Sequence, residues 1–228
     1  MTLPLPAAVL WDMDGTIIDT EPYWIAAETR LVERDGGTWT HEDGLTLIGK
    51  AIPASAQILR ERAGVKGSID EIVDDLVHYV GDQLRAHGAP WQPGAFELLA
   101  ALRKADVPCA LVTMSYASLA HILDSLVPAG TFDAIVTGDM VTNGKPHPEP
   151  YLKAAELLGV DPTQCVAIED SPTGITSAEA AGAHVIGVPH FVPIPRKSGR
   201  SRVRSLVHVD LQLLAEVHAG RVVDELPE

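Results

Sequence analysis

Basic residues, aromatic rings, cysteines and long apolar runs are all scarce in this chain. Lys and Arg number 17 against 31 Asp and Glu, a formal charge of −14. A surface of that sign repels phosphate backbones, so nucleic acid is not expected as a partner. A small anion remains possible as a substrate, because a site can be locally positive inside an acidic protein. The two cysteines, Cys109 and Cys165, sit in apolar runs and are expected as buried core thiols rather than as a disulfide framework. No stretch approaches the ~18 apolar residues of a membrane span. The opening MTLPLPAAVLWDMD lacks the basic start and longer apolar run of a signal peptide. The expectation is a cytoplasmic protein with no membrane partner, monomeric or weakly dimeric. Only 5% of the 228 residues are aromatic while 46% are apolar, so the core must be built mainly from Ala, Val, Leu and Ile.

What is present is an alternation of short apolar runs and helical patterns. Ala7–Trp11, Cys109–Thr113, Ala134–Thr137, Val166–Ile168 and His184–Val188 have the length and β-rich character of buried parallel strands. Helical periodicity fills Ala95–Lys104, Leu152–Leu158 and Gly174–Ala181, the last stopping at Gly182. This order predicts an α/β fold, a Rossmann-like parallel sheet with ligands beyond the carboxyl ends of its strands. One segment interrupts it. Between Pro22 and Pro90 the signals are only helical, including a Ser68…Glu71 capping-box pattern. Residues 19–90 are therefore expected as a helical cap domain inserted after the first strand, with residues 1–18 and 91–228 forming the core domain. The basic segment Pro193–Arg204, PIPRKSGRSRVR, reads as a solvated loop.

Two motifs are false matches. Asp12, Asp14, Gly15 and Glu21 fall on calcium-loop positions, but the first position would be Leu10 and the flank is a strand. Gly138 and Gly144 are one residue too far apart for a phosphate-binding P-loop, and Pro146 follows Lys145 where Ser or Thr is needed. The nine histidines show no metal-ligand spacing, and His147 reads as a surface-loop residue.

The polar residues at the strand ends are more informative. Asp12 ends the first strand, Thr113 the second, Lys145 follows the third, and Glu169-Asp170 end the fourth. In a parallel sheet these groups share one edge. Carboxylates so crowded repel and take up protons unless a cation neutralises them. Mg²⁺, which prefers oxygen ligands and bridges to phosphate, suits the set, and Lys145 suits further negative charge arriving with a substrate.

DMDGT at Asp12, LVTMS at Thr113, GKPHPEPY at Lys145 and AIEDSPTGI at Glu169-Asp170 resemble, in order, the four motifs of the haloacid dehalogenase superfamily. The chain is most similar to its β-phosphoglucomutase-like and hexose-phosphate phosphatase group. The resemblance implies a Mg²⁺-dependent phosphatase acting on a small phosphorylated metabolite, a sugar or polyol phosphate. Asp12 would be the nucleophile that forms an aspartyl-phosphate, and Asp14 the general acid and then base. Thr113 and the Met114 amide would hold phosphate oxygens, and Lys145 would stabilise the transferring charge. The metal would be held by Asp12, Asp14 and Asp170, with Glu169 beside it. Gly15 would allow the turn after the strand and Thr16 would pin it. In the cap, Glu21, Trp24 and Lys50 are candidate substrate contacts. Dehalogenases proper lack an Asp at position 14. Two alternatives stay open: a phosphosugar mutase, against which stand Trp24 in place of a hinge His and Ile52 near an expected Arg, and a catalytically silent binding protein on the same fold.

Overall fold

The computed structural model describes residues 3–48 and 50–227. The chain divides into two compact units, one formed by the residues up to Asp19 and from Pro90 onward, the other by Thr20–Ala89.

The first unit is a six-stranded sheet: β1 (Ala8–Trp11), β2 (Cys109–Val112), β3 (Ala134–Val136), β4 (Cys165–Glu169), β5 (His184–Gly187) and β6 (Ser201–Arg202). The order is β3-β2-β1-β4-β5-β6, and every pairing is parallel. β1 carries AVLW with all four residues buried, as a central strand covered on both faces must. The chain builds outward from β1 through β2 to β3, then returns to β1's other side with β4. That reversal creates the crevice at the carboxyl ends of β1 and β4 where doubly wound sheets bind ligands. Register fixes which side chains meet there. Trp11 lies level with Leu111 and with Ile168, so Asp12, Thr113 and Glu169-Asp170 leave the sheet at one edge.

Helices cover both faces. On one, α7 (Glu149–Leu158) and α8 (Pro172–Ala180) pack Tyr151, Ala154, Ile175 and Ala178 against Leu10, Ala110, Val112, Ala134 and Ala167. The small strand residues leave room for the Tyr151 ring, which is fully buried. On the other face α9 (Leu211–His218) lies against β4 and β5, with α5 (Ala95–Lys104) beside it. α6 (Ala117–Ser125) follows β2. Cys109 and Cys165 are buried free thiols at the starts of β2 and β4, each pushed up by burial.

The basic segment Pro193–Arg204 is a solvated loop only in its first part: residues 195–199 are exposed, but residues 200–203 are buried. Arg202 lies in β6, 4% exposed, and its guanidinium donates to both Asp224 oxygens at 2.9 and 3.0 Å. Arg200 is 7% exposed and donates to Glu179 at 2.7 Å, while Lys197 meets the same carboxylate. Each buried cation has a carboxylate partner, which is what allows a charged stretch to form the edge strand.

The second unit holds α1 (Glu21–Arg34), α2 (His41–Leu45), α3 (Ile52–Arg62) and α4 (Ile69–His87). Ser68 and Glu71 make the reciprocal bonds of a capping box at the start of α4. The buried faces of α1 and α3 pack on α4. Inside this apolar unit α1 buries Glu28, whose Oε2 accepts from the Trp39 indole N–H at 3.1 Å. Burial raises its carboxyl to about 7, with the indole bond opposing.

A raised carboxyl binds its proton more tightly folded than unfolded. Its contribution to stability is whole below about pH 4.5 and is lost as pH rises through about 7. Glu28→Gln keeps an acceptor for Trp39 and removes the titration. Its advantage over wild type should grow from pH 5 to pH 8 by about 1–3 kcal/mol, a few degrees in Tm. Equal Tm differences at the two pH values would contradict this account of Glu28.

Candidate active site

At the carboxyl edge of the sheet the centre of the arrangement is an ammonium group. Lys145 sits in the segment between β3 and α7, its side chain only 6% exposed. Its Nζ donates to Asp12 Oδ1 at 2.7 Å, Glu169 Oε1 at 2.6 Å and the Val112 carbonyl at 2.9 Å. An ammonium has three N–H donors, and all three are used. Burial alone would lower the lysine's pKa, but the facing Asp12 and Glu169 charges outweigh it and hold it above its ordinary value.

Glu169 is the anchor for that lysine. Fully buried, it accepts from Lys145 and the Tyr151 hydroxyl (2.8 Å) on Oε1, and from the Ser171 amide and hydroxyl on Oε2. Ser171 also caps α8 by accepting from the Gly174 amide. The Glu169 carboxylate thus packs under the first turn of α8, where the helix dipole favours a negative charge.

Asp12 is held differently. One oxygen meets Lys145; the other, Oδ2, is buried without a hydrogen-bond partner among the described residues. Burial, reinforced by the neighbouring Glu169 and offset by Lys145, raises its carboxyl to about 7. Asp170 is raised to about 9 by burial and by Asp12 and Glu169. Ligand oxygens of Asp12, Glu169 and Asp170 all lie within 4.8 Å of one another. A divalent cation relieves this kind of mutual repulsion, and the buried Asp12 Oδ2 is an oxygen donor suited to one.

Asp14 stands two residues on, half-buried, on the turn that follows β1. That turn closes by Gly15 N–H to Ile18 O at 2.8 Å and by the Ile17 and Ile18 amides to Met13 O. Gly15 has φ +87°, and a Cβ there would fall 2.3 Å from Asp170 Oδ2, so the position needs glycine twice over. Thr16, expected to pin the turn, makes no hydrogen bond through its hydroxyl among the described residues. Its Oγ1 is buried, and the backbone bonds do the closing.

Thr113 and Ser115 both reach Asp14 Oδ2, at 3.3 and 2.6 Å. Ser115 is a residue the sequence reading missed, although it lies inside the LVTMS motif; nothing in the spacing distinguished it from a turn serine. Met114 between them is half-buried, and its sulfur accepts from the Lys145 amide at 3.4 Å. Two sets of bonds therefore meet at this edge, Lys145 joining Asp12 and Glu169, and Thr113 and Ser115 holding Asp14, and Asp170 completes the acidic cluster. The other three candidates belong to the second unit. Glu21 and Trp24 are half-buried on the first turn of α1, and Lys50 is exposed beyond α2.

The sequence pattern of the haloacid dehalogenase-like hydrolases matches residues 9–188, which span every strand-end group just described. The chain belongs to this family. Among curated relatives, this haloacid dehalogenase-like hydrolase is 34% identical to hexitol phosphatase A of Escherichia coli K12 over 196 residues, covering 82% of this chain and 85% of the relative. It is also 34% identical to the phosphorylated carbohydrates phosphatase of Thermotoga maritima, covering 80% and 85%. Among solved structures, CbbY from Rhodobacter sphaeroides in complex with phosphate superposes with a TM-score of 0.78 at 27% identity, covering 90% of this chain and 96% of that one.

The tightness of the hydrolase's lysine anchor can be tested without touching a charged group. A Cβ on Gly174 would lie 1.7 Å from Glu169 Oε1, so the buried carboxylate must shift to admit it. Gly174→Ala should displace Glu169 and lower stability by about 2 kcal/mol or more, despite alanine's higher helix propensity. A Tm equal to or above wild type would show that Glu169 does not depend on this packing.

Proposed function

We propose that this hydrolase is a phosphatase that cleaves small phosphate monoesters of sugars or polyols through a phosphorylated Asp12. The observation that carries the reading is the unlike dressing of two neighbouring carboxylates. Asp12 is held by an ammonium, Asp14 by hydroxyls. A nucleophile beside a cation and a proton carrier beside neutral donors are the two roles that phosphoryl transfer to an aspartate requires. The phosphatase names of the relatives, for hexitol and carbohydrate phosphates, support the substrate class.

In this reading an Asp12 oxygen attacks phosphorus while the bond to the substrate's oxygen breaks, and Asp14 gives that oxygen its proton. A water molecule then attacks the phosphorylated Asp12, losing a proton to Asp14, and inorganic phosphate leaves. Thr113 and the Met114 amide would hold nonbridging phosphate oxygens, and Lys145 would steady the charge on the phosphoryl group. Mg²⁺ fits the acidic cluster and would be held by Asp12, Asp170 and the main-chain carbonyl of Asp14. When bound, it supplies positive charge against the phosphoryl oxygens. Glu169, with both oxygens already accepting hydrogen bonds, is assigned to holding Lys145 rather than to direct ligation.

Asp12→Asn keeps the shape of the side chain and removes the nucleophile. Turnover of a generic aryl phosphate or of hexitol phosphates should fall by roughly three orders of magnitude or more. Chelation should stop the wild-type reaction and added Mg²⁺ should restore it. Full activity in either the variant or the metal-stripped enzyme would sink the corresponding part of the reading.

Glu21, Trp24 and Lys50 of the helical unit, which we assign as a substrate-selecting cap, are proposed as substrate contacts. The half-buried indole of Trp24 is the broadest apolar surface among them. Trp24→Ala should raise KM for the best hexitol phosphate by about tenfold, corresponding to about 1–2 kcal/mol of lost contact. A lower Tm with unchanged KM would instead make Trp24 a packing residue of the helical unit.

A further inference from the structure

The two hydroxyls at the end of β2 do more in this arrangement than line a phosphate site. Ser115, 8% exposed, donates to Asp14 Oδ2 at 2.6 Å, the shorter of the two bonds to that oxygen. The Thr113 hydroxyl, which also donates to Oδ2, is itself fixed by accepting from the Ser115 backbone amide at 2.9 Å. Ser115 therefore controls Asp14 twice, by its own hydroxyl and by orienting that of Thr113. The backbone that presents it is rigidly placed. Its carbonyl accepts from the Gly138 amide at 3.2 Å, and Gly138 approaches the preceding peptide so closely that a Cβ there would lie 2.5 Å from Met114 O. A short hydrogen bond from a fixed backbone to one oxygen of a carboxylate sets both the plane of the carboxylate and which oxygen can exchange a proton.

From this we infer that Ser115 is a positioning residue for proton transfer: it holds Asp14 by Oδ2 and so directs the catalytic proton through Oδ1. The inference rests on the proposed role of Asp14 as the acid and base of the reaction. In the first step the Asp12–phosphorus bond forms, the bond from phosphorus to the leaving oxygen breaks, and the proton on Asp14 Oδ1 passes to that oxygen. In the second, water adds to phosphorus, its proton returns to Oδ1, and the bond from phosphorus to Asp12 breaks. Ser115 keeps its bond to Oδ2 throughout, while the single hydroxyl proton of Thr113 turns to the phosphate when it is bound. Without Ser115 the carboxylate loses the shorter of its two hydroxyl bonds, and its proton is delivered less often to the leaving oxygen.

The effect is greatest for leaving groups that most need the proton. A series of phenyl, nitrophenyl and dinitrophenyl phosphates, assayed with the Mg²⁺-supplied full chain, grades that need from high to low. The quantity to read is kcat/KM, which reports only the steps up to formation of the phosphorylated enzyme. For Ser115→Ala, kcat/KM should fall about tenfold with phenyl phosphate and much less with dinitrophenyl phosphate, a fraction of the 10²–10⁴-fold that a general acid supplies. The dependence on leaving group then becomes steeper than in wild type. Ser115→Thr, which keeps the hydroxyl, should return the slope toward the wild-type value, and Ser115→Cys, a weak donor of similar shape, should not.

A merely structural serine would slow all three esters by one common factor, and that outcome, in Ser115→Ala or in Ser115→Cys if the alanine variant folds poorly, overturns the inference. Asp14→Asn separates this from the broader reading. It should steepen the slope further than either serine variant. If it leaves the slope at the wild-type value, Asp14 is not the acid. If it steepens the slope while the Ser115 variants do not, the role of Asp14 stands and that of Ser115 falls.

Discussion

A buried ammonium between two buried carboxylates is the constraint on which the rest of this structure turns. Lys145 could not be carried into the sheet edge unless Asp12 and Glu169 met it there, and neither carboxylate could be buried without it. Meeting them requires β1 and β4 to be neighbours in a register that brings Asp12 level with Glu169. It also requires β3 to lead into a segment long enough to return across β2, where the Val112 carbonyl takes the third N–H bond. The parallel order β3-β2-β1-β4 supplies these conditions together. The Tyr151 hydroxyl and the Ser171 amide and hydroxyl at the start of α8 then supply the remaining hydrogen bonds to Glu169 in a place with no access to water.

The same constraint divides labour among the acids. Glu169 is saturated by donors and holds position. Asp12 is only half satisfied, and Asp170 shares its crowding, so these two retain the capacity to accept something positive. Asp14 adds its charge to the raising of Asp12 and Asp170, but is itself bonded to hydroxyls, on a turn that only glycine can make beside Asp170. Four carboxylates within a few residues of two strand ends thus experience four environments, and chemistry that needs unlike acids side by side becomes possible without any change of residue type.

Much of this was legible in the sequence, and the reasons are specific. Five strands announce themselves as short apolar runs because each is buried on both faces, and the strand-end residues Asp12, Thr113 and Glu169-Asp170 follow directly from where those runs stop. The alternation also carried the sheet's parallel character. What escaped the pattern was structure made from charge or from local bonds. β6 is a Ser-Arg pair whose apolar content is nil; it exists because Arg202 finds Asp224 and Arg200 finds Glu179, partners roughly twenty residues away in sequence that no periodicity reveals. α6 went unread because Tyr116 before it makes no side-chain cap; α9 went unread too, although Asp210 caps it and Gly220 follows it. Ser115 is a similar case: its importance lies in a 2.6 Å bond across a hundred residues of chain, and a serine in a turn looks the same with or without it.

The position of the inserted helices bears on how the chain finds its fold. β1 must wait for β2 and β4, so the centre of the sheet is assembled from contacts distant in sequence, the arrangement that folds most slowly. The insertion shortens that search. Its two ends are adjacent, with the Asp19 amide bonded to the Pro90 carbonyl at 2.9 Å, and its residues form one contiguous compact unit. Once that unit has formed, the loop between β1 and β2 shrinks from roughly a hundred flexible residues to roughly thirty, easing closure by about 1 kcal/mol. During synthesis these helices also leave the ribosome before β2 does. An insertion placed here costs the sheet little in assembly, because a unit whose ends are adjacent leaves the ends of β1 and β2 free to come to the places where they pair.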